Sequence, residues 1–337
     1  FYGSKGSIMN PDISVVADAF YHISDQSEGV GEFTDNDLFF REVELALQAY
    51  IYPGIRAEVF PTWEVEEGEV EIEEAFANFL TLPFNSSLLI GRQRTRFGIV
   101  NPTHQEFQPW VDTPLAVQNI FGDHAYIDDG FDLSIMVPVI NIPTFVSFGI
   151  FDGDKSLGEH EEEHEGEEEV EGEGEEHEED NSTLKIFEAA PVEWEDHVFL
   201  AKLSTNIPFF DTNGDISLAY NVLWDGNGSG NTAIHNGQFS FRYMFPHSYH
   251  RLLWQNEVYV TDIDDRDVKS KGFYSFIKYD LTRYMSTGFR YDWSELSDND
   301  DERQWALNPI VTWHLTEASY IRFQYRYGEL EDSSSVN

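Results

Sequence analysis

The feature of this chain that most restricts its fold is an alternation of apolar and polar residues with a period of two. In the segment 237–245, GQFSFRYMF, every second residue from Phe239 onward is aromatic. Such alternation predicts β-strands, because successive side chains of a strand point to opposite faces. Most of the alternating segments are nine to thirteen residues long, which matches a tilted strand that crosses a bilayer. Fifteen segments alternate in this way: 13–23, 39–52, 55–65, 70–82, 87–98, 131–138, 144–152, 197–207, 215–224, 237–245, 251–262, 271–281, 284–294, 302–314 and 319–328.

The links between these segments alternate in length. Every second link is short: 52–54, 82–87, 141–143, 209–215, 246–250, 282–283 and 316–319. The others are mostly longer and acidic, with 66–69 as the exception: 24–38, 99–130, 153–196, 225–236, 263–270, 295–301 and the residues from 329 onward. Short turns at one end and long loops at the other are typical of outer-membrane barrels. The sequence therefore predicts an all-β fold, a transmembrane antiparallel up-and-down β-barrel with a periplasmic N-terminus and extracellular long loops.

An odd number of strands does not fit a closed single-chain bacterial barrel, which has an even number. We therefore expect about sixteen strands, of which fifteen are visible and a closing strand is missing; a split or merged segment would give fourteen or eighteen. The whole chain, 1–337, is predicted to be one barrel domain. The alternative fold is a soluble β-sandwich or jelly roll, which would place its apolar face inside.

Charge and composition exclude several other classes of protein. The formal net charge is −43, which argues against a nucleic-acid partner and makes cations the natural counterpart. The chain has no cysteine, so it can form neither disulfides nor thiolate metal sites. It has no apolar run of about 18 residues, so a transmembrane helix is not expected.

The spacing of arginines in the segment 87–98 indicates which face of the sheet lines the water-filled interior. Arg92, Arg94 and Arg96 share one face by parity, and an arginine in lipid would cost about 2–4 kcal/mol at mid-depth. We therefore predict that they line the interior, opposite a lipid face of Leu89, Gly91, Gln93, Thr95 and Phe97. The same rule places further charged residues inside: Glu42, Glu44, Arg56, Glu58, Glu71, Glu73, Arg242, Glu257, Lys278, Asp280, Arg290, Asp292, Arg322 and Arg326. Two interpretations can coexist: charge ladders that join neighbouring strands, and a charged constriction that selects solutes.

The link 99–130 is long and carries apolar side chains, which we expect to be removed from water. We predict that it folds into the lumen and narrows it, with His104, Trp110 and Asp112 as constriction residues. The alternative is a cap over the rim of the barrel that packs on neighbouring loops.

The link 153–196 contains an acidic tract, 159–180, with fourteen glutamates, one aspartate and three histidines. Such a composition cannot form a packed core, so the tract is expected to be a solvated extracellular loop. Histidine with carboxylates suits Zn²⁺, and carboxylates alone suit Ca²⁺. No cofactor is required, but we expect weak binding of Zn²⁺ or Ca²⁺; the alternative is a solvating brush. The candidate ligands are His160, His164, His177, Glu161, Glu163, Glu176 and Glu178.

Several stretches within 9–155 resemble a family of Gram-negative outer-membrane porin-like proteins, distantly similar to phosphate-selective porins. They are NPDISVVADAFY, REVELALQAYIYPGIRAEVF, VEIEEAFANFLTLP, LLIGRQRTRFGIVNPTH and VDTPLA. The resemblance implies a signal peptide, insertion into the outer membrane and a closing strand that ends in an aromatic residue. It does not extend to phosphate selectivity, which in the family depends on a lysine-rich lumen that this acidic chain lacks.

These features predict a bacterial outer-membrane channel for passive diffusion of small solutes or ions, with an external loop that concentrates divalent cations. The alternative is a barrel-anchored surface protein for metal binding, adhesion or structure. The chain is not expected to be an enzyme: it lacks GxSxG and HExxH, and HEEEH at 160–164 stands in a glycine-studded polyglutamate stretch. The expected partners are outer-membrane lipid and lipopolysaccharide, small solutes or cations, and either a homotrimer or other envelope proteins.

Overall fold

The computed structural model describes residues 11–21, 23, 38–64, 68–122, 125–139, 142–153, 192, 194, 197–209, 213–225, 232–263, 269–296 and 302–332. Within them the elements are β1 (Asp12–Tyr21), β2 (Leu38–Tyr52), β3 (Ile55–Glu64), β4 (Glu69–Leu82), β5 (Ser86–Arg94), α1 (Leu115–Phe121), β6 (Ile127–Val139), β7 (Ile142–Phe151), β8 (Val198–Phe209), β9 (Gly214–Asp225), β10 (Thr232–Met244), β11 (Arg251–Ile263), β12 (Lys271–Asp280), β13 (Met285–Glu295), β14 (Glu302–His314), β15 (Tyr320–Gln324) and β16 (Tyr327–Asp332). Short 3-10 turns occupy Pro83–Asn85 and Gln105–Phe107. Over the described ranges we find no helix whose length and apolar character would let it span a membrane.

The strands form one antiparallel sheet in which each strand pairs with the next along the chain, from β1 to β15, while β16 pairs with β14. This up-and-down order confirms the predicted strand arrangement. Where the chain is described, β1 pairs only with β2, and β15 and β16 only with β14. The inferred closing strand stays a prediction.

β15 and β16 are two halves of one strand. They are separated only by residues 325 and 326. Ile310 pairs with Gln324 and Leu307 with Tyr327, so the register against β14 is the same on both sides of this gap. The gap lies opposite Pro309, which has no N–H to donate to the ladder. Its carbonyl still accepts a hydrogen bond from the Tyr325 N–H at 3.1 Å. The sixteen strands therefore make fifteen rows, and each row overlaps a segment predicted from the alternation. β10 begins at Thr232 instead of 237, and the last row ends at Asp332 instead of 328.

Two predicted boundaries next to the long link are wrong. β5 ends at Arg94 instead of continuing to 98, and β6 begins at Ile127 instead of 131. The chain between them leaves the ladder earlier than the alternation indicated and returns earlier. The link therefore consists of residues 95–126, which we call the inner loop.

The two faces of the sheet have opposite character, and the polar face is the buried one. On β11, Gln255 and Glu257 are 8% and 0% exposed, whereas Val258 and Val260 are 52% and 37% exposed. A soluble sandwich would bury the apolar face. An apolar exposed face with a polar enclosed face is the arrangement of a transmembrane β-barrel.

Replacing Val258 with arginine is therefore expected to lower the free energy of unfolding by about 2–4 kcal/mol, because this side chain near the middle of β11 would meet lipid. Urea unfolding in lipid vesicles measures the loss. Ala318→Arg, on the exposed turn after β14, is the control and is expected to have little effect. Equal stability of the two variants would favour a soluble fold.

The apolar core lies inside the sheet, between the inner loop and the central strands. Trp110, Phe121 and Tyr126 of the loop belong to the same buried cluster as Leu223 of β9 and Phe276 of β12. Two described residues of the long link before β8 also join it. The Val192 N–H donates to the Ile120 carbonyl at 2.9 Å, and the Trp194 ring lies 5.9 Å from the Tyr126 ring.

Candidate functional site, a charged inner wall and an anchored loop

The inner loop packs against strands from both ends of the sheet. Arg41 of β2 donates to the Val111 carbonyl at 3.2 Å, while the Val111 N–H donates to Gln324 of β15 at 2.9 Å. One loop residue thus touches strands that stand near opposite ends of the strand order. The sheet therefore curves until its two ends approach each other around the loop.

Asp112 is the main anchor of the loop to the later strands. Arg290 of β13 donates to its carboxylate and its carbonyl, each at 2.8 Å, and Arg326 donates to the carboxylate at 2.7 Å. Gln324 is a further donor. Burial alone would raise the pKa of Asp112, but Arg290 and Arg326 outweigh it and lower this pKa to about 2. Asp112 is therefore a buried, ionised side chain that holds the loop to the wall.

Trp110 fills the space beside this anchor. Its ring meets Tyr274 and Phe276 of β12 edge-on, with centroid distances of 5.5 and 5.0 Å. The Arg290 guanidinium lies 5.0 Å from the centroid of the same ring, a cation–π geometry. Trp110 is thus an anchor buried against the wall; its predicted part in narrowing the lumen stays a prediction.

His104 attaches the loop to the early strands. Its Nδ1 lies 2.7 Å from Glu44 of β2, and its Nε2 lies 2.8 Å from Glu74 of β4. The ring also packs 5.1 Å from that of Phe60. Burial alone would lower the pKa of His104, but the carboxylates of Glu44 and Glu74 beside its ring nitrogens raise it to about 10.

Glu106 lies in the 3-10 turn just after His104. It is 6% exposed, and both carboxylate oxygens are buried without a hydrogen-bond partner among the described residues. Burial raises the pKa of Glu106, and the neighbouring Glu44 raises it further. Among the described residues of the inner loop, Glu106 has the largest number of buried side-chain atoms without a hydrogen-bond partner.

Most of the carboxylates predicted to face inward do so. Glu44 and Glu58 are buried, and Glu58 pairs with Arg56 at 3.3 Å. Glu73 forms an ion pair with Arg94. Two others are half-buried on the same strands: Glu42 and Glu71. Their role in selectivity stays a prediction.

The three arginines of the predicted ladder differ in their surroundings. Arg94 contacts Glu73, and Arg96 lies 3.9 Å from the fully buried Asp132 of β6. Arg92 pairs across the ladder with Ala75, and its buried Nε has no hydrogen-bond partner within the described ranges. On the other side of the ladder, Arg92 stands opposite Asp129 of β6.

The predicted lipid face opposite these arginines is wrong. Gln93, Thr95 and Phe97 are 1%, 0% and 0% exposed and lie inside. The physical reason is that strict alternation fails here. Gly91 has a φ of 130°, a conformation that L side chains rarely adopt, and the strand ends at Arg94. Beyond that residue, parity no longer specifies a face.

Some residues of the site were not identified from the sequence. Glu74 directly follows Glu73, so strict alternation places one of the two side chains on the lipid face. In the structure a register shift between Phe60 and Pro61 in the β3–β4 ladder allows both side chains to face inward. Two consecutive glutamates in a membrane strand were a usable signal for such a bulge. Glu106 gave no sequence signal.

The predicted ligands of the acidic tract lie outside the described residues. They are His160, His164, His177, Glu161, Glu163, Glu176 and Glu178.

The curved antiparallel sheet, its polar interior and the loop inside it define a porin-like transmembrane β-barrel. The chain is similar to OmpT of Vibrio cholerae folded in vitro, with a TM-score of 0.57 and 10% identity over 97% of this chain and 89% of that one. It is also similar to an anion-selective porin of Comamonas acidovorans, with a TM-score of 0.55 and 10% identity over 95% and 90% of the chains. A third similar structure is the outer membrane channel DcaP of Acinetobacter baumannii, with a TM-score of 0.55 and 9% identity over 97% and 94%. No family model and no curated protein sequence matches the chain.

Proposed function

We propose that this chain is a bacterial outer-membrane channel for the passive diffusion of small solutes or ions. The observation that carries the proposal is the polar, enclosed face of the sheet with a loop held across it. The similar structures described as porins or channels support the same conclusion and agree with a non-enzymatic role.

The loop divides the charged wall into two sides. Toward β2–β4 it meets the carboxylates of Glu44 and Glu74, while toward β13–β16 it meets Arg290 and Arg326. Fixed charges of opposite sign on two sides of a water-filled gap produce a field across it. We propose that this field biases permeation, and that the excess of carboxylates favours cations.

Conductance in planar lipid bilayers tests the channel. The purified full chain is expected to give stepwise openings, with a reversal potential in a salt gradient that shows preference for cations. The control is the same detergent preparation without protein. Absence of steps from folded protein would overturn the proposal and favour the barrel-anchored surface protein.

We also propose that the acidic tract, 159–180, concentrates divalent cations at the external mouth. Its composition and its place in a long link support this. Binding is expected to be weak, multiple and stronger at higher pH, because histidine must be neutral to ligate. Replacing the tract with an equally long Gly-Ser segment is expected to remove most low-affinity Zn²⁺ binding in equilibrium dialysis. Unchanged Zn²⁺ binding would mean that the tract does not bind metal and serves only as a solvating brush.

The remaining proposals concern location and partners. We propose insertion in the outer membrane with a periplasmic N-terminus, contacts with lipid and lipopolysaccharide, and assembly as a homotrimer. A trimer form of Vibrio cholerae OmpT is among the similar structures. Association with other envelope proteins is the alternative to a homotrimer.

A further inference from the structure

Three buried side chains meet where the inner loop joins the early strands. Glu44 comes from β2, and His104 and Glu106 come from the loop. Each offers one donor atom, and these atoms lie within 4.8 Å of one another. We call this group the Glu44–His104–Glu106 cluster. It is distinct from the acidic tract.

Glu106 gives an independent reason to expect a ligand. The side chain is enclosed, and neither carboxylate oxygen has a hydrogen-bond partner among the described residues. Burying an unpaired carboxylate is costly, so buried charges are normally paired or bound to metal. A donor atom of this carboxylate lies within 4.8 Å of those of His104 and Glu44.

We propose that the Glu44–His104–Glu106 cluster binds one divalent transition-metal ion of the Zn²⁺ class. Imidazole with carboxylates is a ligand set that such ions accept, and it is less suited to Ca²⁺ or Mg²⁺, which prefer oxygen alone. Zn–N and Zn–O distances of about 2.0–2.2 Å keep donor atoms within about 4.4 Å of one another. To bind an ion, Glu106 would have to move closer, and the His104 and Glu44 donor atoms, which lie 2.7 Å apart, would have to separate. Among the described residues, no hydrogen bond holds the Glu106 carboxylate in place.

The surroundings of His104 are those of a metal ligand. Its Nδ1 faces Glu44 at 2.7 Å, which leaves that nitrogen to ligate once the pair opens to admit an ion. Its Nε2 lies 2.8 Å from Glu74, the position of a carboxylate that accepts the other ring N–H. A metal-bound histidine usually has such a second partner, which fixes its tautomer and orientation.

A simpler account is a protonated His104 that bridges two carboxylates without any metal. It explains the contacts to Glu44 and Glu74 but leaves Glu106 without a partner. A metal ion satisfies all three members of the cluster at once. It would also tie the loop to β2. The inference rests on this geometry and does not depend on the proposed transport function.

Co²⁺ absorption of the refolded full-length protein tests the site, because four- or five-coordinate Co²⁺ gives visible bands far stronger than those of the hydrated ion. The wild type is expected to bind one such Co²⁺, displaced by Zn²⁺. Glu106→Gln and His104→Gln are expected to abolish the band. Glu74→Gln is expected to weaken affinity about 10–100-fold, the usual effect of removing the partner of a ligating histidine.

Matched controls separate this site from the acidic tract and from folding defects. Glu295→Gln and His250→Gln change the same residue types outside the cluster and are expected to keep the band. Glu295 accepts from the Lys271 N–H at 2.9 Å, and His250 contacts the Asp280 carbonyl at 3.2 Å. Any weak binding by the acidic tract is expected to be the same in every variant. No band in the wild type, or an unchanged band in folded Glu106→Gln, would overturn the proposal. Conductance of the same preparations reports on the channel separately.

Discussion

Replacing Arg290 with methionine is expected to lower the free energy of unfolding by about 3–5 kcal/mol, the usual cost of removing one partner from a buried ion pair. Arg290 is fully buried and pairs with Asp112 at 2.8 Å and with Asp292 at 2.9 Å. The two carboxylates keep different numbers of partners after the substitution. Asp112 keeps Arg326 and Gln324, whereas Asp292 keeps the Asn308 amide.

The loss of stability should therefore come mainly from Asp292, and a double variant can show this. Arg290→Met with Asp292→Asn removes the uncompensated charge and is expected to recover part of the loss. Urea unfolding in lipid vesicles, followed by tryptophan fluorescence, compares the free energies of unfolding. The non-additivity of the two substitutions measures the coupling of the pair.

Arg283→Met is the matched control. Arg283 lies on the exposed turn between β12 and β13, where it donates to the Tyr249 hydroxyl at 2.9 Å. This substitution is expected to leave stability unchanged. If Arg290→Met were as stable as Arg283→Met, the buried network would contribute nothing to holding the loop.

The strands could be predicted from the sequence because the membrane imposes a simple rule on them. Each strand has one face in lipid and one in the lumen, so period-two alternation survives along its whole length. β10 and β11 show this in their unbroken register from Thr232 with Ile263 to Met244 with Arg251. The alternation of short and long links between the segments indicated the up-and-down order of the strands.

The rule fails where local geometry departs from a regular strand. The Glu73–Glu74 bulge and the positive φ at Gly91 each interrupt parity within a few residues. These are also the places where the charged site is built. A strand that only needed to face lipid would not need such interruptions, so the errors of the parity prediction coincide with the candidate site.

The anchors of the inner loop could not be predicted from one sequence. Asp112 and Arg290 are 178 residues apart, and Asp112 and Arg326 are 214 residues apart. Composition indicated that the loop would leave water, since it carries Trp110 and other apolar residues. Its partners depend on how far the sheet curves, which alternation does not specify.

Shortening the inner loop is expected to raise single-channel conductance several-fold and to weaken ion selectivity. The chain offers a natural place to do so. The Tyr126 N–H donates to the Asn101 side chain at 2.7 Å, so the base of the loop is closed and residues 103–124 can be replaced by a short Gly-Ser-Gly link. The replacement removes α1, Trp110 and Asp112 from the lumen while β5 and β6 stay paired.

The same link in place of 159–180 is the control, because both replacements remove 22 residues. The control shortens a loop outside the barrel and is expected to leave conductance unchanged at high salt, where external charge is screened. Circular dichroism should show the same β content in both proteins. Equal conductance of the two would mean that the inner loop does not limit the pore, and the interior would then have to be blocked or open for another reason. A larger step from the inner-loop variant alone would identify that loop, with its anchors at Asp112 and His104, as the element that sets the width of the channel.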